Sequence, residues 1–128
     1  MFIWDTNAVI YMLQGLQTEK VNVILANLIN AHKVNISDIT EIELLSWRNP
    51  TKEGWEALNR FIDNSEVLGL SKEVKHKTAE IRRTTRVKVP DAIIAATAIV
   101  NGLYLITRNT KDFAPIVELK VLNPWEES

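Results

Sequence analysis

Four acidic residues, far apart in the chain, each stand where a carboxylate could take part in binding a cation. They are Asp5 in Asp5-Thr6-Asn7, Glu43 in Thr40-Glu41-Ile42-Glu43, Asp91 in Pro90-Asp91-Ala92, and Asp112 in Asn109-Thr110-Lys111-Asp112. Taken singly, each has a structural role open to it. Asp5 reads as a helix N-cap. Thr40-x-x-Glu43 fits a capping box, with Glu43 reaching back to the Thr40 N–H. Asp91 follows Pro90 in a first helical turn, where the helix dipole favours an acid. Residues 109–112 read as a polar turn. None of these roles excludes coordination, because a carboxylate has two oxygens.

Gathered in one cleft, four carboxylates repel one another unless a cation sits among them. An all-oxygen donor set without Cys or His selects a hard cation, Mg²⁺ or Mn²⁺ rather than Zn²⁺. Such an ion lowers the pKa of a bound water and neutralises charge building on a phosphate, which suits hydrolysis of a phosphodiester. Competing chemistries have less support. The two histidines, His32 and His76, fall at mid- or late-helix positions and read as packing or surface groups. The four glycines are isolated, so no phosphate cradle or dinucleotide fingerprint is present. An aspartyl-phosphate enzyme built on Asp5 would want a second acid two residues on, and that position is Asn7.

The elements that must position these acids alternate. Phe2-Ile3-Trp4 reads as a short buried strand. A helix follows from Ala8, with Val9, Met12, Leu13 and Leu16 on one face, closed by Gly15. The next carries Val21, Ile24, Leu25, Leu28, Ile29 and His32. Val34-Asn35-Ile36 reads as the second strand, and a helix from Thr40 runs to about Arg48, stopped by Asn49-Pro50. Trp55, Leu58, Phe61 and Ile62 mark another helix. Residues 67–70 read as the third strand, and Ser71 as the N-cap of a helix bearing Val74, Thr78, Ile81 and Thr85. Pro90 suits a first helical turn, and Ile93 through Val100 is apolar nearly all round, as in a buried central helix ended by Gly102. Residues 103–106 read as the fourth strand and 117–122 as a weaker fifth.

Strands separated by helices, often two per crossover, predict an α/β protein with parallel strands. Ligands bind such sheets beyond the carboxyl ends of the strands. Asp5 ends the first strand, residues 107–112 follow the fourth, and Glu43 and Asp91 lie in first turns that can point to the same rim.

The chain of 128 residues is long enough for one domain with one core. Hydrophobic residues make up 46% and charged residues 24%, a profile that excludes disorder. The absence of Cys, a start that reaches Asp5 without a basic leader, and the lack of a long apolar run place the protein in the cytoplasm by expectation. Net charge is −1, yet residues 72–88 alone carry +5, leaving −6 for the rest. Lys72, Lys75 and Lys77 read as a solvated helix face. Arg82, Arg83, Arg86 and Lys88 lead into Pro90-Asp91 and are candidate phosphate contacts for RNA.

These motifs, in this order, resemble the PIN domain family, and more narrowly the VapC-type toxins of bacterial toxin–antitoxin pairs. The most specific stretches are residues 89–98 (Val-Pro-Asp-Ala-Ile-Ile-Ala-Ala-Thr-Ala), 105–113 (Leu-Ile-Thr-Arg-Asn-Thr-Lys-Asp-Phe) and 119–124 (Leu-Lys-Val-Leu-Asn-Pro). Asp5-Thr6-Asn7 and Thr40-x-x-Glu43-Leu44-Leu45 are similar to the family's first two acidic motifs. The resemblance implies a single PIN-like domain over 1–128, a three-layer α/β/α with a central, mostly parallel sheet of four to five strands. It implies a Mg²⁺- or Mn²⁺-dependent endoribonuclease acting as the toxin of such a pair, usually a homodimer, with a small antitoxin partner. Asp5 and Asp91 would be the main direct ligands, and Glu43 and Asp112 would bind through water or hold a second ion. Thr6, Asn7, Thr107 and Asn109 would order the site. Family members often carry Gly where this chain runs Leu45-Ser46-Trp47-Arg48, so Trp47 and Trp55 either line a partner groove or pack into the body of the protein. A different reading of the same acids is an RNA- or partner-binding domain without strong cleavage.

Overall fold

A computed structural model describes residues 1–48 and 50–126. Five short parallel strands form one sheet: β1 Phe2–Trp4, β2 Val34–Ser37, β3 Glu66–Leu68, β4 Tyr104–Ile106 and β5 Val121–Leu122, in the order β3-β2-β1-β4-β5. The helices are α1 Thr6–Gln14, α2 Glu19–Ala31, α3 Asp38–Leu45, α4 Lys52–Asp63, α5 Lys72–Thr84, α6 Val89–Val100 and α7 Thr110–Phe113. The expected α/β/α architecture is what the chain adopts. The sheet is wholly parallel, and three of the four connections between consecutive strands carry two helices.

Alternation along the strands divides the interior into two cores. Ile3 and Leu105 point to one face, where Val74 and Ile81 of α5 meet Ala92, Ile94, Ala95 and Ala98 of α6. Trp4, Ile36 and Ile106 point to the other, against Val9, Val21, Leu25, Leu44 and Leu58 from α1 to α4. Full burial of one such aliphatic side chain stabilises by roughly 1.5–3 kcal/mol. Trp4 is almost completely enclosed, with the Phe61 ring edge-on at 6.1 Å. The first strand is therefore covered on both faces, which a three-residue strand at the centre of a sheet requires.

Several local expectations need correction. The first helix stops at Gln14, because Gly15 takes the left-handed conformation (φ 70°) and turns the chain. Leu16 thus lies outside the apolar face and is exposed. The helix expected to begin at Thr40 begins at Asp38, capped by the Ser37 hydroxyl, and ends at Leu45, short of Arg48. Asn49, named as part of its stop, lies outside the described residues. The third strand ends at Leu68, where Gly69 and Leu70 turn away. The fifth shrinks to two residues because Ile116 sinks into the α5–α6 core while Val117 stands in solvent. Ser71 caps α5 as expected, its hydroxyl accepting from the Val74 N–H at 3.2 Å.

Among the described residues no helix is long and apolar enough to cross a membrane.

Candidate functional site

The strand order reverses direction at β1, between β2 and β4. The carboxyl ends of β1 and β4 flank the crevice where parallel sheets of this kind bind ligands. Asp5 closes β1 there, its backbone N–H donating to the Ile106 carbonyl at 3.0 Å. It occupies the N-cap position of α1 but makes no side-chain capping bond. Instead its Oδ2 accepts from the Thr107 hydroxyl at 2.9 Å. Thr107 Oγ1 in turn accepts from the Asn109 N–H at 3.0 Å, so one hydroxyl fixes both the carboxylate and the tight turn after β4.

Asp5 is 2% exposed, and its carboxyl is pushed from 3.8 up to about 6. Burial is the main cause, because it strips water from the charged form. The Thr107 hydroxyl offsets part of that rise, the negative charge of Asp91 adds to it, and Glu43 contributes further. Asp91, in the first turn of α6, is also raised, by burial and then by Asp112 and Glu43, while Lys88 pulls it back. Asp112 reaches the same region from α7, four residues long. The four acids therefore act on one another through a shared field. They do not close on a common point: among the described residues, no trio of His, Cys, Asp or Glu has ion-ligating geometry.

Glu43 is not the partner of the Thr40 N–H, as the capping-box pattern suggests. Ser37 Oγ accepts from that N–H at 3.1 Å, and Glu43 Oε1 accepts from the Thr6 hydroxyl at 2.7 Å. Thr6 Oγ1 also lies 3.0 Å from Thr40 Oγ1, and Ser37 Oγ lies 3.1 Å from Thr40 Oγ1. Each hydroxyl owns one proton, and the Glu43 carboxylate accepts that of Thr6. The buried chain is then satisfied in one direction: Ser37 donates to Thr40, Thr40 to Thr6, and Thr6 to Glu43. Ser37 and Thr40 were not singled out from the sequence as site residues. Their alignment with Thr6 depends on α1 meeting α3, and no local pattern announces that.

The remaining expected residues divide. Asn7 is exposed on the first turn of α1 beside Asp5. Arg86 and Lys88 line a cleft of about 190 Å³ together with Asp91 and Asp112. Arg82 does not line it: its Nη1 donates to the Val87 carbonyl at 2.6 Å and ties down the α5–α6 connection. Arg83 is exposed on α5 and is not part of that cleft's lining. Trp47 is half-buried against the Trp4 core, whereas Trp55 is 39% exposed. His32 caps α2 and meets the Phe2 ring edge-on at 5.0 Å, and His76 is exposed; neither lines the cleft that holds Asp91 and Asp112.

The fold is similar to solved toxin–antitoxin proteins. A toxin–antitoxin complex from Klebsiella pneumoniae contains a chain 28% identical, with a TM-score of 0.73 over 99% of this chain and 100% of that one. FitAcB from Neisseria gonorrhoeae gives 26% identity and a TM-score of 0.78 over 99% and 100%. VapBC2 from Rickettsia felis, bound to a DNA fragment from its promoter, gives 22% and 0.80 over 98% of both chains, a likeness of fold alone. No curated protein matches the chain in sequence. The PIN domain model matches residues 2–118, which takes in all four acids and the turn between Thr107 and Asp112. On that match the chain belongs to the PIN domain family.

Proposed function

We propose that this protein is a divalent-cation-dependent endoribonuclease, the toxin of a toxin–antitoxin pair. The observation that carries the reading is the buried Asp5 carboxylate, raised to about 6 among neighbouring acids at the switch point of a PIN fold. Acids held in mutual repulsion by a folded scaffold suit a bound cation better than water alone, and the all-oxygen donors suit Mg²⁺ or Mn²⁺. Bound there, such an ion would supply an activated water and charge neutralisation at phosphorus.

This chain's residues do the rest. Asp5 and Asp91 would hold the ion directly, with Glu43 and Asp112 supporting it through water or a second ion. Thr107 keeps Asp5 ionised and oriented. Thr6 holds Glu43, with Thr40 and Ser37 behind it. Asn7 and Asn109 order the rim, and Arg86 and Lys88 draw the RNA backbone toward Asp91. Arg82 acts through the loop it braces. Similarity to chains from toxin–antitoxin complexes supports a small antitoxin as partner. A homodimer acting in the cytoplasm completes the proposal.

The test is cleavage of RNA with Mg²⁺ or Mn²⁺, comparing the wild type with Asp5→Asn and Asp91→Asn. Both substitutions should abolish cleavage, and EDTA should do the same. Full activity in both variants, or in EDTA, would sink the proposal. RNA binding that survives both substitutions, with no cleavage at any metal concentration, would favour the binding-domain reading instead.

A further inference from the structure

Arg108 separates Thr107, which holds Asp5, from Asn109, whose N–H closes the same turn. Its guanidinium carbon lies 3.7 Å above the centre of the Tyr11 ring, a cation–π stack. Tyr11 is itself held edge-on by Trp125 at 5.7 Å. Arg108 is exposed, and among the described residues it has no hydrogen-bond or ion-pair partner. A long, flexible cation is therefore held against a half-buried ring, one residue from the acidic site, with the donors at its edge turned to no acceptor among the described residues.

Its place in the fold gives this meaning. Arg86 and Lys88 stand beside Asp91 and Asp112, on the side of the sheet covered by α5 and α6. Tyr11 belongs to α1, which packs on the opposite side with Trp4 and Ile106. Asn7 and Tyr11, four residues apart on α1, share one helix face running from Asp5 to the stacked guanidinium. Positive groups thus stand in both layers, with the acids at the carboxyl edge between them. The planar fork of Arg fits two phosphate oxygens, and its stack on Tyr11 reduces the freedom lost on binding.

We infer that Arg108, held flat on Tyr11, is a second phosphate-binding group, contacting a single RNA strand on the α1 side of the acidic site. Arg86 and Lys88 contact the strand on the α6 side. This rests on RNA being the substrate, but not on the chemistry of its cleavage.

The experiment measures two quantities on the full chain. The first is anisotropy of a labelled single-stranded RNA against salt without added metal, and the second is single-turnover cleavage with Mg²⁺ or Mn²⁺. Arg108→Ala should weaken binding and raise the half-saturating concentration at least threefold. It should leave the maximal rate within a factor of two and flatten the log–log salt slope by about 0.7, one phosphate contact on a single strand. Tyr11→Leu should reproduce part of the loss. Lys33→Ala, at the opposite rim of the sheet, should change nothing. Unchanged binding in Arg108→Ala overturns the inference. So does a fall in maximal rate alone, which would assign Arg108 to holding the Thr107 turn, and so does a wild type that does not bind RNA. Arg108-dependent binding without cleavage leaves the inference standing and removes the proposed nuclease. Cleavage indifferent to Arg108 does the reverse.

Discussion

Replacing Asp5 by Asn should make the protein more stable at neutral pH while destroying the proposed activity. The folded-state pKa, about 6, lies above the unfolded value of 3.8, so folding disfavours the ionised carboxylate. Below about pH 4 the group is protonated in both states and costs nothing. As pH rises the cost grows, reaching its full size above the folded pKa. A rise from 3.8 to about 6 corresponds to about 3 kcal/mol. Asparagine removes that charge, and its amide oxygen can still accept from Thr107. Urea unfolding in EDTA should therefore show Asp5→Asn ahead of the wild type by about 1–3 kcal/mol at pH 7.5, with the gap closing toward pH 4. Saturating Mg²⁺ should then stabilise the wild type more than the variant, because only the wild type keeps the full ligand set. A variant no more stable than the wild type at pH 7.5, or a gap that does not change with pH, would refute the reasoning.

Thr107→Val should cost roughly 1.5–3 kcal/mol at neutral pH, since it strips the hydroxyl from a buried carboxylate, and urea titration reads this directly. It should also move the acid limb of the cleavage–pH profile upward, because that hydroxyl lowers the Asp5 pKa. Thr40→Val breaks the buried hydroxyl chain behind Glu43; it should cost about 1 kcal/mol in unfolding and raise the Mg²⁺ concentration needed for half-maximal cleavage. Gly102→Ala meets no atom within 4 Å, so its whole effect should be the positive φ of 67°, about 1 kcal/mol in thermal or urea unfolding with cleavage unchanged.

Asp5 and the turn from Thr107 were legible in the sequence because each follows a short apolar strand that stops abruptly at polar residues. The α6 helix was legible because eight apolar or small residues follow one another with no polar face. The caps were harder. Ser37 and Thr40 stand three residues apart before the same apolar pattern, and either could begin α3. The choice falls to Ser37 because Thr6, arriving from α1, takes the Glu43 carboxylate that a capping box would have used. Asp5 misled in the same way, since a neighbour 102 residues on outbids the local N–H groups. At the carboxyl-terminal side, residues 116–122 supply enough apolar character for a strand. Packing of Ile116 under Phe113 and α5 leaves only Val121 and Leu122 to pair. A single arginine in a polar turn makes no pattern, and only its distance to Tyr11 distinguishes Arg108.

The central place of β1 has a consequence for how the molecule is made. Of the five strands, β1 is translated before the other four and lies in the middle of the sheet, and one of its two neighbours, β4, comes about a hundred residues later. At about 5–20 residues per second, the 102 residues from Asp5 to Thr107 occupy the ribosome for on the order of 5–20 s. Until they are complete, Asp5 has no hydroxyl to hold it, and Asp112 does not yet exist. Nascent chains and products of early termination therefore lack an assembled acid cluster. A cell making the proposed nuclease is exposed to its activity only once nearly the whole described chain has been built, a delay written into strand order alone.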